Sequence, residues 1–299
     1  RFPAGHAPGE RKPPMEPEPR AMIFDLYRGT THDGPGLRST VFFKGCPLRC
    51  QWCHNPEGLA SAPQLMISAG SCTHCGNCAA VCRHPDSCIL CGDCVRVCPQ
   101  GARKICGEIL TSAELVNRIR RQSAYYAALG GGVTFSGGEP LFQGAFLLEV
   151  LEALPDVHTA IETSGYCASE LFKQAVDRLD FVLMDLKLAS AEAHRRYTGV
   201  SNEQILGNLR LLQHSGVPFR IRIPLIPGVS DTRENLEASA RLLAGCPSME
   251  CVELLPYHLT AGAKYAMLHM DYRPDFPVEQ PVRTHPGLFE SYGIRSQVL

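Results

Sequence analysis

Three cysteines at 46, 50 and 53 sit in GCPLRCQWCHN with only apolar and polar residues, a proline and one tryptophan between them. Cys-x3-Cys-x2-Cys offers three thiolates, one fewer than a structural zinc tetrahedron requires, unless His54 completes the set. A catalytic zinc also works with three protein ligands. An all-thiolate set beside a large aromatic suits an iron-sulfur cluster better, and three ligands on a four-iron cluster leave one iron free for a small molecule.

Two further runs follow. CTHCGNCAAVC (72–82) and CILCGDCVRVC (88–98) are copies of Cys-x2-Cys-x2-Cys-x3-Cys, the run that holds paired 4Fe-4S clusters, where the fourth cysteine of each run serves the other cluster. On that rule Cys72, Cys75, Cys78 and Cys98 hold one cluster, and Cys88, Cys91, Cys94 and Cys82 hold the other. A pair of zinc sites is the alternative. Only five residues separate the runs, and Arg83 follows Cys82 where proline follows Cys98, so the cross-ligation departs from the usual pattern. The total of fifteen cysteines is odd, and eleven lie between 46 and 98 at short regular gaps, which opposes a disulfide framework. Cys106, Cys167, Cys246 and Cys251 read as small buried hydrophobes.

Elements that must position these thiols appear on either side of the Cys-rich window. Strands are expected at 39–45, 132–138, 159–165, 181–187, 219–225 and 251–257, and helices at 112–130, 143–154, 169–178, 202–215 and 232–244, with Ser112 as an N-cap and Gly130 as a stop. Strand then helix, repeated about six times, implies an α/β fold with a parallel sheet. A partial (β/α)6 TIM-like barrel fits, because polar clusters (SGGEP, ETSG, DLK, RIPLIPG, LPYH) fall just past the apolar runs, where a barrel puts its functional residues. A doubly wound open sheet is the alternative. The expected organisation is a Pro-rich, charged, disordered leader at 1–20, the first part of the barrel at 21–66, a ferredoxin-like insert at 67–106 and the rest of the barrel at 107–299. Met15 or Met22 is a candidate start of translation.

A formal net charge of -1 and no dense Lys/Arg block give no footprint for nucleic acid. No run of eighteen apolar residues exists and the N-terminus lacks an apolar signal region, so the expectation is a cytoplasmic protein without a membrane span.

THDGPGLRSTVFFKGCPLRCQWCHNPEG, TFSGGEP, ETSG, MDLK, YTGVSNEQILGNL, IPLIPGVSD and ELLPYH together resemble the glycyl radical enzyme activating enzymes of the radical S-adenosylmethionine superfamily, over roughly residues 22 to 272. The resemblance implies that Cys46, Cys50 and Cys53 hold a 4Fe-4S cluster with an open iron that binds S-adenosylmethionine, giving three clusters in all. One electron then cleaves the cofactor to methionine and a 5'-deoxyadenosyl radical, which takes hydrogen from a backbone glycine of a partner glycyl radical enzyme. It further implies that Gly137, Gly138 and Glu139 lie beside the methionine amino group. Asp185, Leu186 and Lys187 stand against the cofactor, and Arg222 and His258 contact it. Trp52 and His54 line the adenine pocket. Glu162 and Thr163 surround the sugar and a monovalent cation, with Glu where the family commonly has Asp. The insert implies either an electron relay from a donor such as flavodoxin or ferredoxin or a docking face shaped for the partner, and a partner acting on a diol, choline or an arylacetate. Other radical substrates, and a plain iron-sulfur electron carrier, are the competing readings.

Overall fold

A computed structural model describes residues 18–299, and the six expected apolar runs are its central strands. In chain order the first half contains β1 (Arg20–Thr30), β2 (Arg38–Phe43), β3 (Gln64–Ile67), α1 (Asn77–Val81), α2 (Asp93–Arg96), β4 (Arg103–Cys106), β5 (Glu108–Thr111), α3 (Ser112–Arg120), α4 (Ser123–Leu129) and β6 (Gly132–Gly137). The second contains α5 (Gly144–Glu152), β7 (Thr159–Thr163), α6 (Ser169–Val176), β8 (Phe181–Asp185), α7 (Ala191–Thr198), α8 (Glu203–Ser215), β9 (Phe219–Leu225), α9 (Arg233–Leu243), β10 (Met249–Pro256), α10 (Ala261–Met267) and β11 (Ser296–Val298).

Nine strands form one sheet in the order β11, β10, β9, β8, β7, β6, β2, β1, β5. From β2 to β11 every neighbour is parallel, whereas β1 is antiparallel to both β2 and β5. The order never reverses from β2 to β10. A doubly wound sheet reverses at a switch point, while right-handed crossovers that always step the same way keep their helices on one face and curl the sheet into a partial barrel. Strands β6, β7 and β8 are buried along nearly their whole length, as parallel strands covered on both faces must be. Phe43 packs edge to face on Phe135 and Phe146, with ring centroids 6.2 Å apart in each pair. All three are nearly inaccessible, so truncating one to alanine would cost about 3–5 kcal/mol.

Three strands of this nine-stranded sheet lie outside the expected set. β1 and β5 extend the sheet by antiparallel pairing, and β11 adds a short edge. The expected helix at 112–130 is two helices that meet at Arg121 and Gln122. Its N-cap is Thr111, not Ser112: the Thr111 hydroxyl accepts from Glu114 N and Glu114 reaches back to Thr111 N, a capping box. Gly130 does end α4 in a left-handed conformation. Helix α7 lies outside the expected set, because AEAHRRYT carries few apolar residues and buries only His194 and Thr198.

An antiparallel ribbon of β3 and β4, paired from Gln64 with Cys106 to Ile67 with Arg103, forms the base of the Cys-rich excursion. Its interior holds only the short α1 and α2. Of the expected leader, 1–17 lie outside the described residues, and Arg20 already belongs to β1. Cys106 packs with Met66 and Leu268, Cys167 and Cys246 lie against the main core, and Cys251 is buried. Among the described residues no helix is long and apolar enough to cross a membrane.

Candidate active site

The GCPLRC loop leaves the end of β2 and is stitched to the barrel by its own backbone. Gly45 N donates to Gly58 O at 2.8 Å, Arg49 N to Thr198 O at 2.7 Å and Gln51 N to Tyr197 O at 3.0 Å. The SGGEP turn closes on the same loop, with Gly138 N donating to Phe43 O and Glu139 N to Gly45 O. A Cβ at Gly138 would stand 2.4 Å from Gly58 O and 2.5 Å from Gly45 O, and Gly137 has φ +118° with Phe43 backbone equally close. Both glycines line the cavity described next, yet the close approaches that require them are to protein backbone, Gly137 to the end of β2 and Gly138 to the cysteine loop.

Cys46, Cys50 and Cys53 line a cavity of about 200 Å³ together with Trp52, His54, Gly137, Gly138, Glu162, Thr163, Asp185 and Lys187. Trp52, His54, Pro224 and Leu255 also line an adjoining cavity of about 390 Å³, whose wall includes Arg222, His258, His32 and Asp33. Apart from Arg222, inside β9, and His32 and Asp33, in the β1–β2 connection, these residues lie at or just past the C-terminal ends of β2, β6, β7, β8, β9 and β10, so the parallel strands deliver them to one rim. Trp52 also packs against Leu188, Ile226 and Val229. The His54 ring lies 6.5 Å from that of His258 and 6.0 Å from that of Tyr257.

Burial pushes the Cys46 and Cys50 thiols up to about 12 and Cys53 up to about 11. Three thiols in such surroundings need added positive charge to become thiolates, which is what a bound metal cluster brings. Lys187 already leans that way: it lies near Cys46 and Cys50 and pairs with Asp185 at 2.7 Å. Burial alone would lower the Lys187 pKa, but Asp185 and Cys50 outweigh it and hold the ammonium well above its ordinary range. The sulfurs ring the cavity. Among the described residues no three His, Cys, Asp or Glu side chains are grouped to hold one metal ion.

Three of the expected cofactor contacts are placed differently. Glu139 does not line the cavity; its Oε1 accepts from Thr163 Oγ1 at 2.6 Å and Leu141 N at 3.2 Å, and its Oε2 from Ser164 N at 2.9 Å and Ser164 Oγ at 2.6 Å. Burial raises its pKa, and the Ser164 and Thr163 donors offset part of that. Glu139 thus ties the SGGEP turn to the end of β7. Arg222 is likewise engaged within the protein, donating from Nε to Glu253 Oε2 at 2.9 Å and from Nη1 to Glu162 Oε1 at 2.5 Å, with His32 O as a third acceptor. Burial would raise Glu162, but the Arg222 guanidinium, aided by the Ser136 hydroxyl, holds it below the ordinary carboxylate range. Leu186 points into the main core.

In the insert, Cys72, Cys75, Cys78 and Cys98 line one cavity of about 210 Å³. Cys82, Cys88, Cys91 and Cys94 line a second, narrower one of about 30 Å³. Both runs share an unusual backbone: His74 (φ 54°) and Leu90 (φ 57°) are left-handed non-glycine residues, each followed two residues on by a left-handed glycine, Gly76 and Gly92. Such residues each cost about 1–3 kcal/mol and concentrate where a ligand or function demands them. Arg103 lines the first cavity, and its guanidinium faces Cys78 of the first set and Cys94 of the second.

Several residues at the rim escaped the sequence reading. Ser136 donates to Glu162 at 2.6 Å, and Glu253 is paired in register with Arg222 across β9 and β10. A lone carboxylate in the apolar run CVELLPY was the available signal for Glu253. Tyr257, Tyr265, Tyr272 and Phe276 form an aromatic wall beside the cysteine loop. Nothing in the sequence joins residues so far apart.

The radical SAM superfamily profile matches residues 40–243. The chain is 37% identical over 297 residues to the trans-4-hydroxy-L-proline dehydratase activating enzyme of Clostridioides difficile, covering 93% of this chain and 98% of that protein. It is 36% identical over 295 residues to the choline trimethylamine-lyase activating enzyme of Oleidesulfovibrio alaskensis, covering 92% and 93%. Among solved structures, a radical SAM methyltransferase from Sphaerobacter thermophilus aligns with a TM-score of 0.51 at 15% identity, over 93% of this chain and 73% of that one, a likeness of fold.

Proposed function

Starting from a chain that belongs to the radical SAM superfamily, and within it to the activating enzymes of glycyl radical enzymes, we propose which of its residues perform that family's reaction. When bound, a 4Fe-4S cluster supplies the one electron that splits S-adenosylmethionine at its C5'–S bond into methionine and a 5'-deoxyadenosyl radical, and that radical takes a hydrogen atom from the partner's glycine to leave 5'-deoxyadenosine and a glycyl radical.

Cys46, Cys50 and Cys53 hold the cluster with one iron open to the cofactor. The carrying observation is their meeting at the rim of the barrel, where three thiols and the strand-end polar groups share one cavity wall. Lys187 offers an ammonium to the cofactor carboxylate while Asp185 keeps it charged and oriented. Gly137 and Gly138 bring backbone to the cavity surface, and Thr163, Glu162 and Asp185 supply oxygens for the ribose or a monovalent cation. Trp52, His54 and His258 wall the adjoining cavity, whose volume lies within the range of small-molecule sites. Arg222 and Glu139 hold the rim in shape rather than the cofactor.

The excursion at 67–106 is read as a ferredoxin-like domain with two clusters, for a total of three. The division of its eight cysteines between two cavities follows the crossed ligand sets, Cys98 joining the first run and Cys82 the second, which supports that reading. Saturated clusters bind no substrate, so their part is to pass electrons inward from a donor such as flavodoxin or ferredoxin. Eleven cysteines spaced as cluster ligands must stay unpaired, which supports a reducing, cytoplasmic site of action. The test is 5'-deoxyadenosine formation: reduced, reconstituted protein releases it from S-adenosylmethionine and Cys50→Ala does not. Wild-type protein with a full iron complement that releases none would refute the assignment.

A further inference from the structure

Residues 271–285 form no helix or strand, yet they run across the outside of the cysteine loop and fasten it to the neighbouring strand ends. Tyr272 Oη hydrogen-bonds Tyr257 Oη at 2.8 Å. Asp275 N donates to Gln51 Oε1 at 2.7 Å, and its carboxylate pairs with Arg196 at 2.5 Å. Further on, Arg283 N donates to Asp231 Oδ2 at 3.0 Å and His285 Nε2 meets Asp231 O at 2.9 Å. Pro274, Pro277 and Pro281 fix φ along this strap, so an irregular segment can hold a side chain in place at small entropic cost.

The side chain so held is Phe276. Its ring stands edge to face against Tyr257 at 5.3 Å and against Trp52 at 6.5 Å. Phe276 lines neither cavity at the rim, whereas Trp52 lines both. Tyr197, the other aromatic neighbour of Trp52, lies at 6.4 Å and belongs to α7, whose backbone already ties the cysteine loop. The Trp52 indole is therefore set by two rings, one from the barrel and one from the strap.

We infer that Phe276 is a positioning residue for S-adenosylmethionine, pressed by the 271–285 strap onto Trp52 so that the indole presents a fixed apolar wall to the cofactor's adenine. The inference rests on the proposal that the two cavities take that cofactor. An irregular C-terminal segment would then tune cofactor affinity without touching the cofactor.

Trp52 is the sole tryptophan, so intrinsic emission of the cluster-free full chain reports on this indole alone. Phe276→Ala and Phe276→Leu shift that emission to longer wavelength as water reaches the ring. In reconstituted protein they raise the KM for S-adenosylmethionine in 5'-deoxyadenosine formation by about three- to tenfold, as loss of an aromatic pair allows, and KM rises by more than kcat falls. Phe276→Tyr restores both readouts. Phe276→Leu preserves most of the apolar volume, so it keeps the test open should the alanine variant not fold. A lowered melting temperature with unchanged KM and unchanged emission would overturn the inference and leave the strap a structural tie. Failure of the wild-type protein to bind S-adenosylmethionine by equilibrium dialysis would instead remove the cavity assignment, and the inference with it.

Discussion

Replacing Arg222 by methionine separates a strut from a cofactor ligand. The Arg222 side chain is 5% exposed and that of Glu253 is 2%, so methionine fills the volume but leaves two carboxylates without their shared cation. Removing one partner of a buried ion pair costs about 3–5 kcal/mol. The lower end applies here because Arg220 still reaches Glu253 at 3.0 Å and Glu162 keeps its Ser136 donor at 2.6 Å. For a chain of this length the unfolding entropy is about 0.6 kcal/mol per kelvin, so a loss of about 3 kcal/mol lowers Tm by about 5 °C. The pH dependence has a definite sign. In the native protein Glu162 is held below its ordinary range, and the stability this brings is present above its unfolded pKa and is lost as pH falls through the folded one. In the variant, burial acts unopposed and raises the carboxyl, so the deficit is greatest near neutral pH and shrinks on acidification toward about pH 5. Thermal unfolding by circular dichroism at pH 7.5 and pH 5 reads both effects, and adding Glu162→Gln recovers part of the loss. A variant with wild-type Tm at both pH values that no longer binds S-adenosylmethionine would refute the reasoning and return Arg222 to the cofactor.

Alanine at any one of Cys46, Cys50 or Cys53 abolishes 5'-deoxyadenosine formation and, on the proposed total of three clusters, lowers bound iron by about one third, while the visible absorption of the remaining clusters persists. Gly138→Ala drives its Cβ into Gly58 O and Gly45 O, displacing the cysteine loop; calorimetry reads a lower Tm and iron analysis a fall confined to the same third. Arg103→Gln removes a cation facing Cys78 and Cys94, which disfavours the reduced form of the two clusters proposed there. Their midpoint potentials by electron paramagnetic resonance titration move negative with iron content unchanged; unmoved potentials would show that this charge does not reach the clusters.

The six parallel strands were readable because each is a short apolar run bounded by turn residues, buried on both faces, with its polar groups at the C-terminal end. The spacing of the thiols favoured an iron-sulfur site over zinc, and the open iron with its cofactor came only from the strand-end motifs taken together. What stayed hidden depends on distance in sequence. Strand β1 pairs with β2 across a local loop and with β5 across the whole insert, and neither pairing leaves a periodic mark that separates it from an edge segment. Motif matching placed Glu139 and Arg222 beside the cofactor, whereas in the fold both are engaged by Ser164, Thr163, Glu162 and Glu253, which neighbouring strands supply. Which way a strand-end charge is spent depends on register, and register is a property of the assembled sheet. The aromatic wall of Tyr257, Tyr272 and Phe276 is legible only once α10 and the strap fold back over the loop that carries Trp52.

The central claim is hydrogen transfer from a protein glycine, and it is tested most directly by anaerobic incubation of the reduced, reconstituted chain with S-adenosylmethionine and glycyl radical enzymes of the hydroxyproline dehydratase and choline lyase kinds, each labelled with deuterated glycine. The account predicts an organic radical signal by electron paramagnetic resonance on the cognate partner, one deuterium carried into 5'-deoxyadenosine, and neither with Cys50→Ala. Accumulation of unlabelled 5'-deoxyadenosine with no protein radical on any glycyl radical enzyme would contradict it.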